Sequence, residues 1–391
     1  MIKIISSIFF ISCTSIGAGI LALPCLTVYN GFFYSTMVFI ICYIFMTISA
    51  FLMLETTLWF KKNTNIISVI NQILGYKWKV IASIIYISLL YSLISAYILA
   101  YTKWMMSNDL SNKYTLIPSL LIYIVLIYLI TFHKNEMFKK INNILSILLF
   151  LTYTIIIFKC LNYVKMDNIK TYNLENISNI FTLAITSFGF AIIIPTLSDF
   201  LKKKNKILYK TILLGSLIPL IIYILWILIM LGVFPLSGEF SLQYITQQKI
   251  PADVIFTNFI SKIINSESII KIIKIFSFLA VITSLIGVAT SLKDFLSDER
   301  ILKKNNIIIL IAIIIPPILA IIYLKLGFIA LLKLSGILVS FLLGIIPTIT
   351  VWYGRYILKI KGKITIPGGK FLLTMNCSFF LYAIINDIFK L

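Results

Sequence analysis

The sequence predicts an all-α integral membrane protein. Three observations carry this: 60% of the 391 residues are hydrophobic, only 12% are charged, and the mean hydropathy is +1.05. A water-soluble domain of this length has no way to place so much apolar surface inside itself. With roughly 20 apolar residues per crossing and about 10 to 15 per connection, the chain divides into about eleven to thirteen spans.

Apolar runs with few charges place eleven spans, at residues 4–28, 32–60, 80–104, 116–132, 141–160, 177–200, 207–234, 269–296, 307–324, 328–353 and 371–389. The first follows Met1-Ile2-Lys3 and faintly resembles a signal peptide with a lipoprotein box at Cys25. Pro24 directly before that cysteine argues against cleavage, and the run is long enough to cross, so it reads as a helix. The second carries Glu55 inside its final turns, where a carboxylate is costly and is either paired, by snorkelling to Lys61 or Lys62, or functional. The third places Ser88, Ser92, Ser95 and Leu99 on one face, with Tyr91 beside them. The fourth and ninth are near the short limit for a crossing. Span eight bears a small-residue stripe, Ser277, Ala280, Ser284, Gly287 and Ser291. Span ten has Gly336, Ser340 and Gly344 at spacing four, a helix-contact pattern, and Lys333, whose stem reaches the interface. The longest connection, 235–268, leads to no separate domain, so residues 1–391 form one transmembrane unit.

Charge orients the bundle. With the N-terminus in the cytoplasm, 22 of the 34 Lys and Arg residues fall on the inner side, which predicts N-terminus in and C-terminus out. The net charge of +21 therefore records topology in a lipid bilayer, and no nucleic-acid partner is expected. Cys13, Cys25, Cys42, Cys160 and Cys377 lie in or beside apolar runs without metal spacing. His133, the single histidine, reads as an interfacial residue. No metal or other cofactor is expected. With one His and scattered acids there is no catalytic constellation, which argues against an enzyme. No obligate protein partner is evident.

Comparing the chain with itself is more informative. Span one reads Thr14-Ser15-Ile16-Gly17 and span six Thr186-Ser187-Phe188-Gly189, so T-S-x-G recurs at an offset of 172 residues. Pro24 and Pro195 follow. An odd number of spans separates the copies, so the second half enters from the opposite side, as in the inverted repeats of secondary transporters. Repeat one covers about 4–160 and repeat two about 177–353, with an extra helix at about 371–389. Gly and small residues in mid-span let a helix unwind and free backbone groups for a ligand. They also suit close helix packing, and the matched pair favours the break. Freed N–H groups would hold a carboxylate and freed carbonyls an ammonium group. Phe188 and Phe190 offer apolar surface beside the second break. Lys3 and Asp294, at the inner ends of spans one and eight, form a candidate cytoplasmic gate pair.

The segments Thr14-Ser15-Ile16-Gly17-Ala18-Gly19-Ile20-Leu21-Ala22-Leu23-Pro24, Thr186-Ser187-Phe188-Gly189-Phe190, Gly215-Ser216-Leu217-Ile218-Pro219-Leu220 running on to Trp226, and Thr283-Ser284-Leu285-Ile286-Gly287-Val288-Ala289 resemble the bacterial hydroxy and aromatic amino acid permeases. The resemblance runs from about Ser12 to Arg355. It implies eleven helices in a five-plus-five inverted repeat of the amino acid permease superfold, with spans one and six broken. It also implies import of tyrosine or another aromatic amino acid, with tryptophan and phenylalanine as candidates, through the bacterial inner membrane by proton symport. On this chain it would place substrate contacts at Thr14, Ser15, Gly17, Ala18, Gly19, Tyr91, Ser95, Ser187, Phe188, Gly189, Phe190 and Ala191. Coupling or gating would fall to Lys3, Glu55, Thr283, Ser284 and Asp294. The chain departs from the family pattern at Ala191, where a His is usual, and at Ser146, where a Lys is usual, so proton and sodium both remain candidate coupling ions. The competing expectations are the same fold carrying serine, threonine or another neutral amino acid, and a nutrient sensor that binds without transporting.

Overall fold

Lipid gives a backbone no hydrogen-bonding partner, so each apolar run must close its own N–H and C=O groups as a helix. The computed structural model describes residues 2–27, 30–60, 65–105, 116–133, 135–169, 177–202, 204–235, 238, 241, 266–298, 305–362 and 364–389, and its regular elements are all helical. Span 1 is two helices, Ile2–Ser15 and Gly19–Thr27. Spans 2 to 5 are Gly31–Leu58, Tyr76–Met105, Leu116–Phe132 and Asn135–Cys160. Span 6 consists of Phe181–Ser187, a 3₁₀ stretch Gly189–Ile193, and Ile194–Phe200. Spans 7 to 9 are Asn205–Val233, Glu267–Asp298 and Asn306–Leu324, span 10 is Phe328–Ile357, and span 11 is Gly369–Ile388. Among the described helices nine are long and apolar enough to cross a membrane; Lys3–Ser15 and Pro118–Phe132 are shorter apolar helices.

Spans 3, 5 and 10 run four to six residues beyond one expected end, where polar residues at the interface continue the helix; most other ends lie within about two residues of the expected ones. Two features depart from the expected pattern. Between spans 2 and 3 lies a short amphipathic helix, Ile66–Leu74, started by a reciprocal cap in which the Asn65 side chain accepts the Ser68 N–H and the Ser68 hydroxyl accepts the Asn65 N–H. It buries Ile66, Ile67, Val69, Ile70 and Ile73 and is too short to be seen as a span. Span 10 alternates α and π turns, with π segments at Ser340–Ile345 and Tyr353–Ile357. The first π segment ends two residues before Pro347, whose missing N–H disturbs the regular ladder. Lys61, Lys62 and most of the 235–268 connection lie outside the described residues.

Prolines decide which spans are tied together. A proline leaves the carbonyl four residues earlier without its helical donor, and inside a membrane that carbonyl needs another one. Pro24 frees the Ile20 carbonyl, which accepts Trp226 Nε1–H of span 7 at 3.0 Å. Pro219 frees the Gly215 carbonyl, which accepts the Ser12 hydroxyl of span 1 at 2.9 Å. Pro316 and Pro317 free the carbonyls of Ala312 and Ile313 in span 9. These accept the hydroxyls of Tyr91 (span 3, 2.7 Å) and Tyr123 (span 4, 2.8 Å). Spans 1 and 7 are thus bonded reciprocally, and span 9 is held by spans 3 and 4.

At the other end of span 2, Glu55 is 1% exposed and its partner is Arg355 of span 10. Arg355 Nε donates to Oε1 at 2.7 Å and Nη2 to Oε2 at 2.5 Å, while the Ile366 backbone N–H also donates to Oε2 at 2.8 Å. This corrects the expected snorkelling: the carboxylate turns inward to a fork that fits it in two places. The Trp59 indole lies against Gly354 and Gly362, where any β-carbon would overlap it. Span 11 docks through Phe380 on Gly344 and through the Asn376 amide, which donates to Thr348 Oγ1 at 2.8 Å and Ser49 Oγ at 3.3 Å. His133 is exposed beyond span 4, whose last carbonyls, Ile130 and His133, accept Lys293 Nζ at 2.7 and 3.1 Å.

Candidate functional site

Spans 1 and 6 each lose α-helical form in mid-run at their T-S-x-G segment. In span 1 the last regular bond runs from the Ile16 N–H to the Ser12 carbonyl at 3.0 Å. Helix resumes with tight turns, Ile20 N–H to the Gly17 carbonyl and Leu21 N–H to the Ala18 carbonyl, both at 3.1 Å. Between them the Ala18 N–H donates sideways to Ser284 Oγ of span 8 at 2.9 Å. Glycine at 17 is required by this approach, since a β-carbon there would lie 2.6 Å from Ser284 Oγ. The N–H groups of Gly17 and Gly19 have no partner among the described residues, and they sit at the start of the second half-helix. That is the arrangement that receives an anion.

In span 6, Phe188 leaves the helical region at φ −106°, ψ 27°, and the chain continues as a 3₁₀ turn into Ile194–Phe200. The two breaks face each other. Position 19 is 3.7 Å from Ser187 Oγ, measured from a β-carbon placed on Gly19. One side chain joins them: the Tyr223 hydroxyl of span 7 donates to the Ser15 carbonyl at 2.6 Å and lies 3.3 Å from the Ser187 carbonyl. These carbonyls end the first half of each broken span, so one phenol gathers the two C-terminal ends where a cation would be favoured.

An aromatic wall surrounds this point. The Phe188 ring is fully buried and meets Tyr223 at 5.5 Å, Tyr43 at 5.9 Å and Phe39 at 6.0 Å between centroids. Phe190 and Ala191 are fully buried as well. Open room lies elsewhere: β-carbons placed on Gly189 and Gly287 meet nothing within 4 Å.

The remaining residues singled out from sequence divide clearly. Thr14 is exposed beside the break, its hydroxyl on the Ile11 carbonyl at 2.7 Å. The Ser15 and Ser187 hydroxyls bond back to Ile11 and Leu183, so both serines present their carbonyls to the site. Thr283 bonds the Leu279 carbonyl at 2.7 Å, within its own helix. Tyr91 and Ser95 face span 9, where Ser95 Oγ donates to the Pro317 carbonyl at 3.2 Å. Glu55 is held in its pair with Arg355, away from the breaks. Lys3 lies 5.6 Å from the Phe200 ring centroid at the far end of span 6. Asp294 is in electrostatic range of Tyr86 and Lys293. Ser146 of span 5 lies beside Cys13 of span 1. Among the described residues no group of His, Cys, Asp and Glu could hold a metal ion.

Sequence reasoning missed Tyr223 and also Tyr97, a buried tyrosine of span 3 close to Ser284. The available signal was a phenol inside an apolar run, which must find an acceptor when buried.

Comparison with known proteins is consistent along the whole chain. Residues 1–387 match the model of the tryptophan/tyrosine permease family. The tyrosine-specific transport system 1 of Haemophilus influenzae is 28% identical over 366 residues, covering 91% of this chain and 89% of the relative. The tryptophan-specific transport protein of the same organism is 22% identical over 407 residues, covering 99% and 96%. The glutamine transporter 2 of Aliivibrio fischeri is 27% identical over 407 residues, covering 99% of each. With its broken first and sixth spans and a family match over nearly its full length, the chain belongs to the tryptophan/tyrosine permease family.

Proposed function

We propose that this protein imports an aromatic amino acid across the bacterial inner membrane, tyrosine foremost and tryptophan or phenylalanine also, by proton symport with alternating access. The observation that carries the reading is the meeting of the two helix breaks at Tyr223. In this account the substrate carboxylate takes the N–H groups at Gly17 and Gly19, and its ammonium group takes the carbonyls at Ser15 and Ser187. The aromatic side chain enters the room beside Gly189, against the wall of Phe188 and Tyr43. The two halves, 4–160 and 177–353, act as inverted repeats that rock about this site, with the N-terminus cytoplasmic and the C-terminus outside. Tyrosine and tryptophan carriers among the relatives support the substrate class. The likeness to a glutamine transporter favours a second reading, in which the same site takes a neutral polar amino acid.

Uptake into proteoliposomes of labelled tyrosine, tryptophan, phenylalanine, glutamine and serine, driven in turn by an imposed pH or sodium gradient, separates these. The proposal expects tyrosine accumulation driven by the pH gradient. Accumulation of glutamine or serine alone would replace the aromatic reading, and sodium dependence would replace the proton.

A further inference from the structure

Among the described residues two carboxylates are almost fully buried in the bundle, Glu55 and Asp387, each about 1% exposed. Glu55 belongs to the Arg355 fork. Asp387 stands at the end of span 11, outside both repeats, and its Oδ2 accepts the hydroxyl of Thr182 in span 6. Thr182 is pressed from another side by span 10, where a β-carbon on Gly336 would overlap the Thr182 carbonyl. That carbonyl accepts the Thr186 hydroxyl at 2.8 Å. The next residue, Ser187, ends the half-helix, and its carbonyl is the one near Tyr223. From Thr182 to the break at Phe188 is about 9 Å along the helix axis.

We propose that Asp387 is a positioning residue whose charge state sets how firmly the first half of span 6 is held, so that the geometry of the break follows pH. This rests on the reading of the break as the substrate site. A hydroxyl donates to an ionised carboxylate with about twice the strength it shows toward a neutral acceptor. Ionised Asp387 therefore pins Thr182, and with it the carbonyl end at Ser187. A proton added to the carboxylate from water at the C-terminal end of the bundle gives the neutral acid and slackens the pin. Other titratable or charged groups on the elements packed at this end are Lys333 on span 10, Cys42 and Tyr43 on span 2, and Tyr382 on span 11. Cys42 Sγ lies 3.8 Å from the Phe181 carbonyl, and the Tyr382 ring stands edge-on to Phe181 at 5.9 Å. The segment Phe181–Ser187 carries no such group.

The test is hydrogen–deuterium exchange of peptides covering residues 181–193 in lipid nanodiscs, between about pH 5 and pH 8, corrected for intrinsic exchange rates. In the parent protein these peptides should exchange about fivefold faster at the acid end, the effect of one ordinary hydrogen bond. Asp387→Asn and Thr182→Val should each exchange fast at both ends, and together no faster than either alone. Thr182→Ser and Lys333→Gln should keep the response. A parent-like pH response in Asp387→Asn or Thr182→Val overturns the proposal. Should Asp387→Asn fail to fold, Asp387→Glu is expected to respond with a displaced midpoint, and an unchanged response in Thr182→Val still decides against it. The readout needs no substrate. A pH response in a protein that moves no aromatic amino acid would unseat the transport reading and leave this inference standing; aromatic uptake without the response would do the reverse.

Discussion

Tyr223 is a single phenol on which both broken helices depend. Replacing it by Phe keeps the ring among Phe39 and Phe188 and removes only the donor to Ser15 and Ser187. We expect Tyr223→Phe to express and fold normally, with the KM for uptake raised about five- to tenfold, the worth of one hydrogen bond. Kinetics of tyrosine uptake check this, and an unchanged KM would remove Tyr223 from the site. Gly17 gives a sharper case. Gly17→Ala should abolish uptake because its methyl group meets Ser284 Oγ at 2.6 Å, whereas Ser284 Cβ is at an ordinary 3.7 Å. Adding Ser284→Ala should therefore restore part of the activity; no recovery would mean that position 17 needs glycine for its backbone alone. The T-S-x-G pair was legible in the sequence because it recurs in mid-span at matched places in the two halves, and Ser284 because it stands in the small-residue stripe of span 8. Tyr223 was not, since a tyrosine in an apolar helix looks like any packing aromatic until the carbonyl it serves is known.

At the scale of the helix, prolines explain which polar side chains face which span. Tyr91→Phe should leave the Ala312 carbonyl without a donor and lower stability by about 1–3 kcal/mol. Pro316→Ala in the same protein restores a backbone N–H four residues after Ala312, so the double variant should be more stable than Tyr91→Phe alone. Thermal unfolding in detergent compares them, and a double variant no better than the single would refute the exchange of donors. The span count and span positions were readable from hydropathy. The partners of Pro24, Pro219, Pro316 and Pro317 were not, because the donor comes from a span far away in sequence. For the same reason the bonds of Tyr91 and Ser95, which the resemblance places among substrate contacts, to the carbonyls of Ala312 and Pro317 in span 9 were not foreseen. The π turns of span 10 left no periodic signal, and the helix Ile66–Leu74, though amphipathic, is too short to be seen as a span.

For the whole molecule, the buried pair of Glu55 and Arg355 joins spans 2 and 10 and, through Ile366, the link to span 11. Glu55→Gln leaves a buried guanidinium without its counter-charge and should cost about 3–5 kcal/mol, while Glu55→Gln with Arg355→Met should cost less than either change alone. The net charge of +21 bears on how the bundle sits in the bilayer and carries no information about cargo, which the proposed function assigns to a few backbone groups freed at two breaks. The most direct test is an experimental structure of the purified protein saturated with tyrosine. The account predicts a ligand between spans 1 and 6, its carboxylate on the N–H groups of Gly17 and Gly19, its ammonium group near the Ser15 and Ser187 carbonyls, and its ring beside Gly189. Tyrosine bound away from both breaks, or no bound tyrosine at saturating concentration, would contradict it.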